Sequence, residues 1–432
     1  MKLIFIIISI FIAFSFSSYT SAQFDLKKKI IKKADKELNK AADDAIDDTF
    51  ETIKKAGGDE DSKNTPTNNE AKKTEELVVE TNSSIDLQDG EKQEDLKVYS
   101  KFTFVPGSKT IFFDDFSEYE VGDFPESWGT NGSGEIISTN LYEGKWFSLV
   151  SRSGYLPNIK GPLPDQYTIE FDLVTDGYKK GGSNSWLSLA FIPKAKYTKG
   201  TAGSYAELRM LLREPGRESL EASNFGSEAT NRFSAQINFK YSDKLNKKIH
   251  FSLAVKNQRL QIWLDEEKIV DSPNLLQGKL NDYFIIEVTD VNPDKGQRVM
   301  ISNFRIAEVE ETFESLMKST GKYSTSGIYF DVNQATVKAQ SMGLLKQIGE
   351  ALKKQSDIKV KIIGHTDSQG DDKTNQTLSE KRAESVKKIL NEQFGISNDR
   401  MLIEGKGESE PVDDNKTVNG RANNRRVEFI KQ

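Results

Sequence analysis

The sequence predicts a multidomain chain: an all-β, jelly-roll-like sandwich followed by an α/β domain of βαβαββ order, with an N-terminal helix and a disordered linker ahead of them. Three observations carry this reading. Between residues 97 and 307 apolar residues recur at every second position, as along half-buried strands, with almost no helical pattern. From residue 327 onward short apolar runs alternate with stretches of three- to four-residue periodicity, the mark of strands alternating with helices. Residues 57–93 are so rich in Glu, Asp, Lys, Asn, Thr and Ser that they cannot offset the entropy of ordering.

In chain order, Lys2 precedes an apolar run over 3–16 and then Ser17, Ser18, Tyr19, Thr20, Ser21 and Ala22. That is the pattern of an export signal, expected to be cleaved after Ala22. A retained anchor is disfavoured, because ~14 residues make roughly 21 Å of helix against a hydrocarbon core of ~30 Å. No later stretch is long or apolar enough to span a bilayer as a helix, so the mature chain is expected to be exported and soluble, with no transmembrane span. Residues 23–56 read as an amphipathic helix whose stripe is Ile31, Ala34, Leu38, Ala41 and Ala45; its first half is basic and its second acidic. Such a helix suits an anionic membrane surface, a partner helix or plain solvation. The linker over 57–93 gives a tether with a reach of roughly 30–37 Å.

The sandwich occupies 94–308. Tyr167, Ile169, Phe171 and Leu173 alternate with Thr168, Glu170 and Asp172, and Leu260, Ile262 and Leu264 keep the same step. Residues 309–322 read as a linker helix, and 323–432 as the α/β domain. Its strands are expected at 327–332, 358–364, 401–405 and 426–430, with helices at 337–354 and 378–394. Each helix has one apolar face, such as Leu344, Leu345, Ile348 and Leu352, to lay on the sheet.

Composition narrows the chemistry. Sixty basic and sixty-six acidic residues give a net charge of −6 with no concentrated basic surface, so nucleic acid is not expected as a partner. The chain has no cysteine, which removes thiol nucleophiles, disulfides and thiolate metal sites. With His250 and His365 as its only histidines, no histidine metal cluster forms either, and no metal or other cofactor is implied. Asp114 and Asp115 are the pair that would suit a hard cation such as calcium.

The most informative residues run from Gly364-His365-Thr366-Asp367-Ser368-Gln369-Gly370 to Asn375-Gln376-Thr377-Leu378-Ser379-Glu380-Lys381-Arg382-Ala383. Tyr329-Phe330-Asp331 precedes them, and Gly405-Lys406-Gly407 and Asn423-Asn424-Arg425-Arg426-Val427 follow. In this order the segments resemble the OmpA-like peptidoglycan-binding domain, which has a strand ending in G-x-T-D, a Gly/Asn-rich loop and N-x-x-L-S-x-x-R-A at a helix start. The resemblance covers about a quarter of the chain. It implies a non-enzymatic module that binds peptidoglycan in the envelope of a Gram-negative bacterium, with Asp367 and Arg382 as principal ligands and Thr366 and Asn375 in support. Thr336 and Gln369 occupy positions that approach the ligand in some members, and one of Arg425 and Arg426 steadies the fold or contacts the glycan.

The residues supply a reason of their own. Asp367 closes a strand, and Thr377-Leu378-Ser379-Glu380 has the form of a capping box that would put Arg382 in the first helical turn. A carboxylate beside a guanidinium at a helix N-terminus suits a zwitterionic amino-acid head, its ammonium on Asp367 and its carboxylate bidentate on Arg382. Diaminopimelate exposes such a head and lysine-type stem peptides do not. A purely structural ion pair is the plainer reading of these two residues, and His365 reads as a strand residue rather than a base.

Phe112-Phe113-Asp114-Asp115-Phe116, Gly122-Asp123-Phe124-Pro125 with Trp128, Tyr167-Thr168-Ile169-Glu170-Phe171-Asp172 and Ile301-Ser302-Asn303-Phe304 make the middle region similar to concanavalin A-like lectin/glucanase sandwiches. Glucanases of that type carry E-x-D-x-x-E. Here Glu170 and Asp172 begin the motif, but Thr175 replaces the last carboxylate, and a single couple lacks the second acid that hydrolysis needs. The couple therefore reads as the solvent face of a strand, and the sandwich as an adaptor for a glycan or an envelope protein. The rival is a glycan-hydrolysing or carbohydrate-binding sandwich carried on a wall anchor. OmpA-like porins begin with a membrane β-barrel, whereas this N-terminus lacks alternating ten-residue segments, so association with the outer membrane would pass through a partner.

Overall fold

The computed structural model describes residues 102–178, 184–213, 217–229 and 231–432. The expected export signal, amphipathic helix and tether lie outside the described residues.

Two antiparallel sheets enclose the first core. The strand order of one is Glu267–Ser272, Arg259–Leu264, Lys248–Lys256, Gln166–Asp176, Arg298–Glu308, Lys145–Leu149 and Gly134–Ser138, with Lys109–Asp114 also pairing with Arg298–Glu308. The other runs Ser234–Gln236, Leu220–Phe225, Tyr205–Leu212, Ser185–Ile192, Tyr283–Thr289, Ser153–Pro157 and Trp128–Thr130. The two-residue period does what it predicts on one face: Tyr167, Ile169, Phe171 and Leu173 are all fully buried in the core between the sheets. Phe171 stacks on Phe251 at 5.0 Å, and the edge of Trp128 meets Phe304 at 4.8 Å. Trp128, Trp146 and Trp263 are buried, while Trp186 is partly exposed beneath the Arg209 guanidinium.

The opposite face of the same strand departs from expectation. Glu170 is 3% exposed rather than solvated, because the C-terminal domain packs over it. Glu170 Oε1 accepts from Tyr329 Oη at 2.7 Å and from Arg305 Nη1 at 3.3 Å. Arg305 also donates to the carbonyl of Gly107, Oγ1 of Thr110 and Oγ of Ser326, so its guanidinium joins the two domains. Asp114 is likewise enclosed: Phe116 N, Ser127 Oγ and Trp128 Nε1 donate to it, and burial raises its pKa to about 6. Its oxygens are occupied by protein donors, not arranged for a cation.

The C-terminal sheet has the order Lys322–Thr325, Val427–Lys431, Val360–Gly364, Met401–Gly405, with only the last pair parallel. Helices Met342–Lys354 and Asp372–Glu392 bury Leu344, Leu345, Ile348, Leu352, Val386 and Leu390 in a second core. Helix Phe313–Ser319 precedes the sheet, capped by Thr312.

Three details correct the sequence reading. The first strand is Lys322–Thr325; residues 327–332 run alongside with only the bridge from Phe330 to Val337, since Val427–Lys431 is already paired on both sides. The second long helix begins at Asp372, because Asp371 caps it by accepting from Thr374 N, and its polar first turn carries no apolar period to announce it. A further helix, Val418–Asn424, is started by Thr417, so the order of elements is βαβαβαβ.

That short helix joins the domains. Asn419 Oδ1 and Asn423 Oδ1 accept the backbone N–H groups of Phe113 and Thr110 on the strand Lys109–Asp114, satisfying donors that this edge would otherwise leave unpaired. On another side, Gly343 approaches so closely that a Cβ there would sit 1.8 Å from the carbonyl oxygen of Phe104. The domains thus meet through satisfied polar groups, and removing one partner should be costly. Arg305→Met is expected to lower stability by about 3–5 kcal/mol, read as a shift in the urea unfolding midpoint, while Lys109→Ala, at an exposed ion pair, should leave the midpoint where it is.

Candidate functional site

Gly364 ends the central strand where a side chain would strike the carbonyl of Ser379, so helix Asp372–Glu392 lies directly on the backbone there. The chain beyond is pinned: His365 N donates to the Arg426 carbonyl at 3.0 Å and Thr366 N to the Gly407 carbonyl at 2.9 Å. Asp367 follows, 7% exposed. Its Oδ1 accepts from Gln369 N at 3.1 Å and its Oδ2 from Arg425 Nη1 at 2.6 Å. Asn375, in the first turn of the helix, braces the loop by donating to the carbonyls of Asp367 and Gln369 and to Glu408 Oε2.

Arg382 reaches the same cavity from the middle of the helix. Its guanidinium lies over the Phe330 ring at 4.9 Å, and Nε donates to the Gln334 carbonyl at 3.1 Å. Burial, then the charge of Arg425, press its pKa down to about 10 against the pull of Asp367, so it remains charged at neutral pH. Asp367, Arg382, Asn375, Thr366 and Gln369 all line one cavity of about 520 Å³.

The residues expected from the sequence are therefore mostly together, with two corrections. Thr336 is exposed and outside the lining; what it contributes is its carbonyl, which holds the backbone of Asp331. The capping box at 377–380 does not start the helix, so Arg382 is not at a helix N-terminus and free backbone N–H groups are not part of its neighbourhood. Arg425, whose role the sequence left open, is the direct partner of Asp367, whereas Arg426 is a buried structural residue paired with Glu428 at 2.8 Å. Phe330 was visible within a motif but not as a platform for Arg382, since nothing in its spacing points at residue 382.

Across the cavity the sandwich presents Glu170, Asp172 and His250. His250 Nδ1 lies 2.8 Å from Asp172 Oδ1 and Nε2 lies 3.9 Å from Glu170 Oε2. Burial works against its charge, but the two carboxylates outweigh that and raise its pKa to about 9. His365, on the other wall, has neither ring nitrogen hydrogen-bonded, and burial with the nearby Arg426 charge lowers its pKa to about 4.

Residues 329–425 match the family model described as the OmpA family. The peptidoglycan-associated lipoprotein of Buchnera aphidicola is 33% identical over 36% of this chain and 86% of its own length. The chain belongs to the OmpA family. Outer membrane porin F of Pseudomonas aeruginosa is 42% identical over 23% of this chain, which spans only 29% of that porin. Among solved structures, the peptidoglycan-associated lipoprotein from Burkholderia pseudomallei is 31% identical over 25% of this chain and 89% of that one, with a TM-score of 0.23. The region matched to the OmpA family excludes the sandwich. No helix among the described residues is long and apolar enough to cross a membrane.

The two histidines of this OmpA-family chain give opposite pH dependences. His365 takes up a proton more readily unfolded, near the ordinary 6.5, than folded, near 4; its stabilising contribution is present above pH 6.5 and lost as pH falls toward 4, by an amount of the order of 3 kcal/mol. His250 is the reverse: its contribution is complete below pH 6.5 and lost as pH rises toward 9. Thermal midpoints from pH 4 to 9 should flatten on the acid side in His365→Gln and on the alkaline side in His250→Gln.

Proposed function

We propose that this chain is a non-enzymatic protein of the cell envelope that binds peptidoglycan non-covalently by the zwitterionic head of diaminopimelate, and that its sandwich is an adaptor tethered to the wall. One observation carries the reading: a carboxylate and two guanidiniums, Asp367, Arg382 and Arg425, line one partly buried cavity. Among these three side chains one positive charge is in excess. Arg425 is neutralised by Asp367, but Arg382 has a backbone carbonyl and an aromatic face in place of a carboxylate, and it feels the repulsion of Arg425. An incoming carboxylate relieves that repulsion and takes charge-assisted hydrogen bonds from Arg382. The ammonium on the same carbon then falls to Asp367, which is already oriented by Gln369 and braced by Asn375. Lysine-type stems lack this free head and have no group for both partners.

Attachment rather than turnover also fits the sandwich. Glu170, the residue nearest to a glycosidase carboxylate, is committed to Arg305 and Tyr329 at the domain junction. Two antiparallel sheets around one apolar core support the concanavalin A-like, jelly-roll reading of this part, as a surface for a glycan or an envelope protein. In this reading the mature chain resides in the periplasm against the peptidoglycan, close to the outer membrane.

Sedimentation with purified sacculi tests the anchor. Wild type should be retained by diaminopimelate-type wall and ignored by lysine-type wall, with Asp367→Ala and Arg382→Ala each weakening retention about ten-fold or more. Equal retention by both wall types, or by wild type and Asp367→Ala, would sink the reading.

A further inference from the structure

The cavity that holds Asp367 and Arg382 has a second wall, made by the sandwich, which includes Phe113, Asp115, Asp172, Lys248, His250 and Asn303. The walls are held in fixed relation. Arg305 bonds to groups of both domains, and the Arg425 guanidinium that pairs with Asp367 also lies over the Phe113 ring at 5.4 Å. The site is therefore shaped by both domains.

Its size and unmet hydrogen-bonding capacity point to a ligand larger than an amino-acid head. About 520 Å³ lies within the rough range of 300–1,000 Å³ in which drug-sized ligands bind. On the sandwich side Glu170, 3% exposed, has Oε2 without a hydrogen-bond partner, and so does Nε2 of His250, 3.9 Å away. On the other side Thr366, 4% exposed, has its hydroxyl unpartnered. Glu170 Oε2 and His250 Nε2 face each other as an ion pair, so the unmet capacity is that of the Thr366 hydroxyl, and buried polar atoms are seldom left so. Nearer the surface, Asp115 commits Oδ1 to Ser117, and Asn303 gives its amide N–H to Asp172. Asp115 Oδ2 and the Asn303 carbonyl are then acceptors suited to neutral N–H and O–H donors.

We propose that the cavity is a composite site in which the sandwich wall, through Asp115 and Asn303, reads the portion of the wall fragment joined to the diaminopimelate head: its peptide amides or its sugar hydroxyls. This rests on the anchoring reading above. The head binds on the C-terminal wall, and the sandwich adds affinity for the rest of the ligand, so the adaptor domain takes part in recognition of the wall.

Calorimetric titration of the full chain tests this with three ligands: free diaminopimelate, a diaminopimelate-containing tripeptide and the corresponding disaccharide tripeptide. The probe is the double variant Asp115→Ala/Asn303→Gly; glycine is chosen because Asn303 has φ 51°, which alanine would strain. It should bind free diaminopimelate as wild type does and bind a larger ligand about 10- to 100-fold more weakly. Loss already seen with the tripeptide assigns the sandwich to peptide amides; loss confined to the disaccharide form assigns it to hydroxyls. Unchanged binding of both larger ligands overturns the composite site, as does an equal loss that includes free diaminopimelate. Should the double variant unfold at a lower temperature than wild type, the single variants Asp115→Ala and Asn303→Gly replace it, with the same outcomes. If wild type binds none of the three, the anchoring reading itself falls and the composite site with it; if wild type binds all three equally and Asp367→Ala abolishes this, only the composite site falls.

Discussion

The guanidinium of Arg305 is the constraint on which the arrangement of this protein depends. Taking it out of water is expensive, and a buried charge is tolerated only where its donors are met. Here they are met from both domains: Gly107, Thr110 and Glu170 belong to the sandwich, Ser326 and Tyr329 to the C-terminal domain. Neither domain alone supplies the full set, so separating them would expose or orphan a charge. Tyr329 is the link to function, because the residues after it, Phe330 and Asp331, run into the wall of the cavity and place the ring over which Arg382 lies.

How much of this was legible in the sequence follows from the range of each interaction. The alternation at Tyr167 to Leu173 is local and gave the inward face correctly; the outward face was misjudged at Glu170 because Tyr329 of the C-terminal domain, which covers it, stands 159 residues away. The helix start was misplaced for a similar reason. Asp371 and Asp372 look like loop, and only the hydrogen bond to Thr374 N distinguishes a cap from a turn. Asp367 and Arg382 were legible through the segments around them. The pairing of Asp367 with Arg425 was not, since it joins the end of one strand to the approach of another, 58 residues on.

That pairing changes how the site should be understood. A bare carboxylate and a bare guanidinium facing each other would neutralise each other and have little left for a ligand. A second guanidinium breaks the symmetry. Arg425 holds Asp367 in place, while Arg382 is left with weaker company and a pKa depressed to about 10. The site has a stable side and an unsatisfied side, which is the state in which a zwitterion gains most by entering.

The two histidines show how small differences in geometry decide such outcomes. Each is beside a glutamate, yet one is driven toward the charged form and the other toward the neutral form. His250 has Asp172 at hydrogen-bonding distance and Glu170 close by, so two carboxylates act on a single ring. His365 has Glu428 at 3.8 Å, but that carboxylate is already bonded to Arg426, whose charge also reaches the imidazole. Burial opposes charge on both rings, and only where the carboxylates outnumber the cations does the proton stay. Near neutral pH the sandwich wall of the cavity therefore carries a cationic imidazole and the opposite wall a neutral one, a polarity set by which carboxylates were already spent elsewhere in the fold.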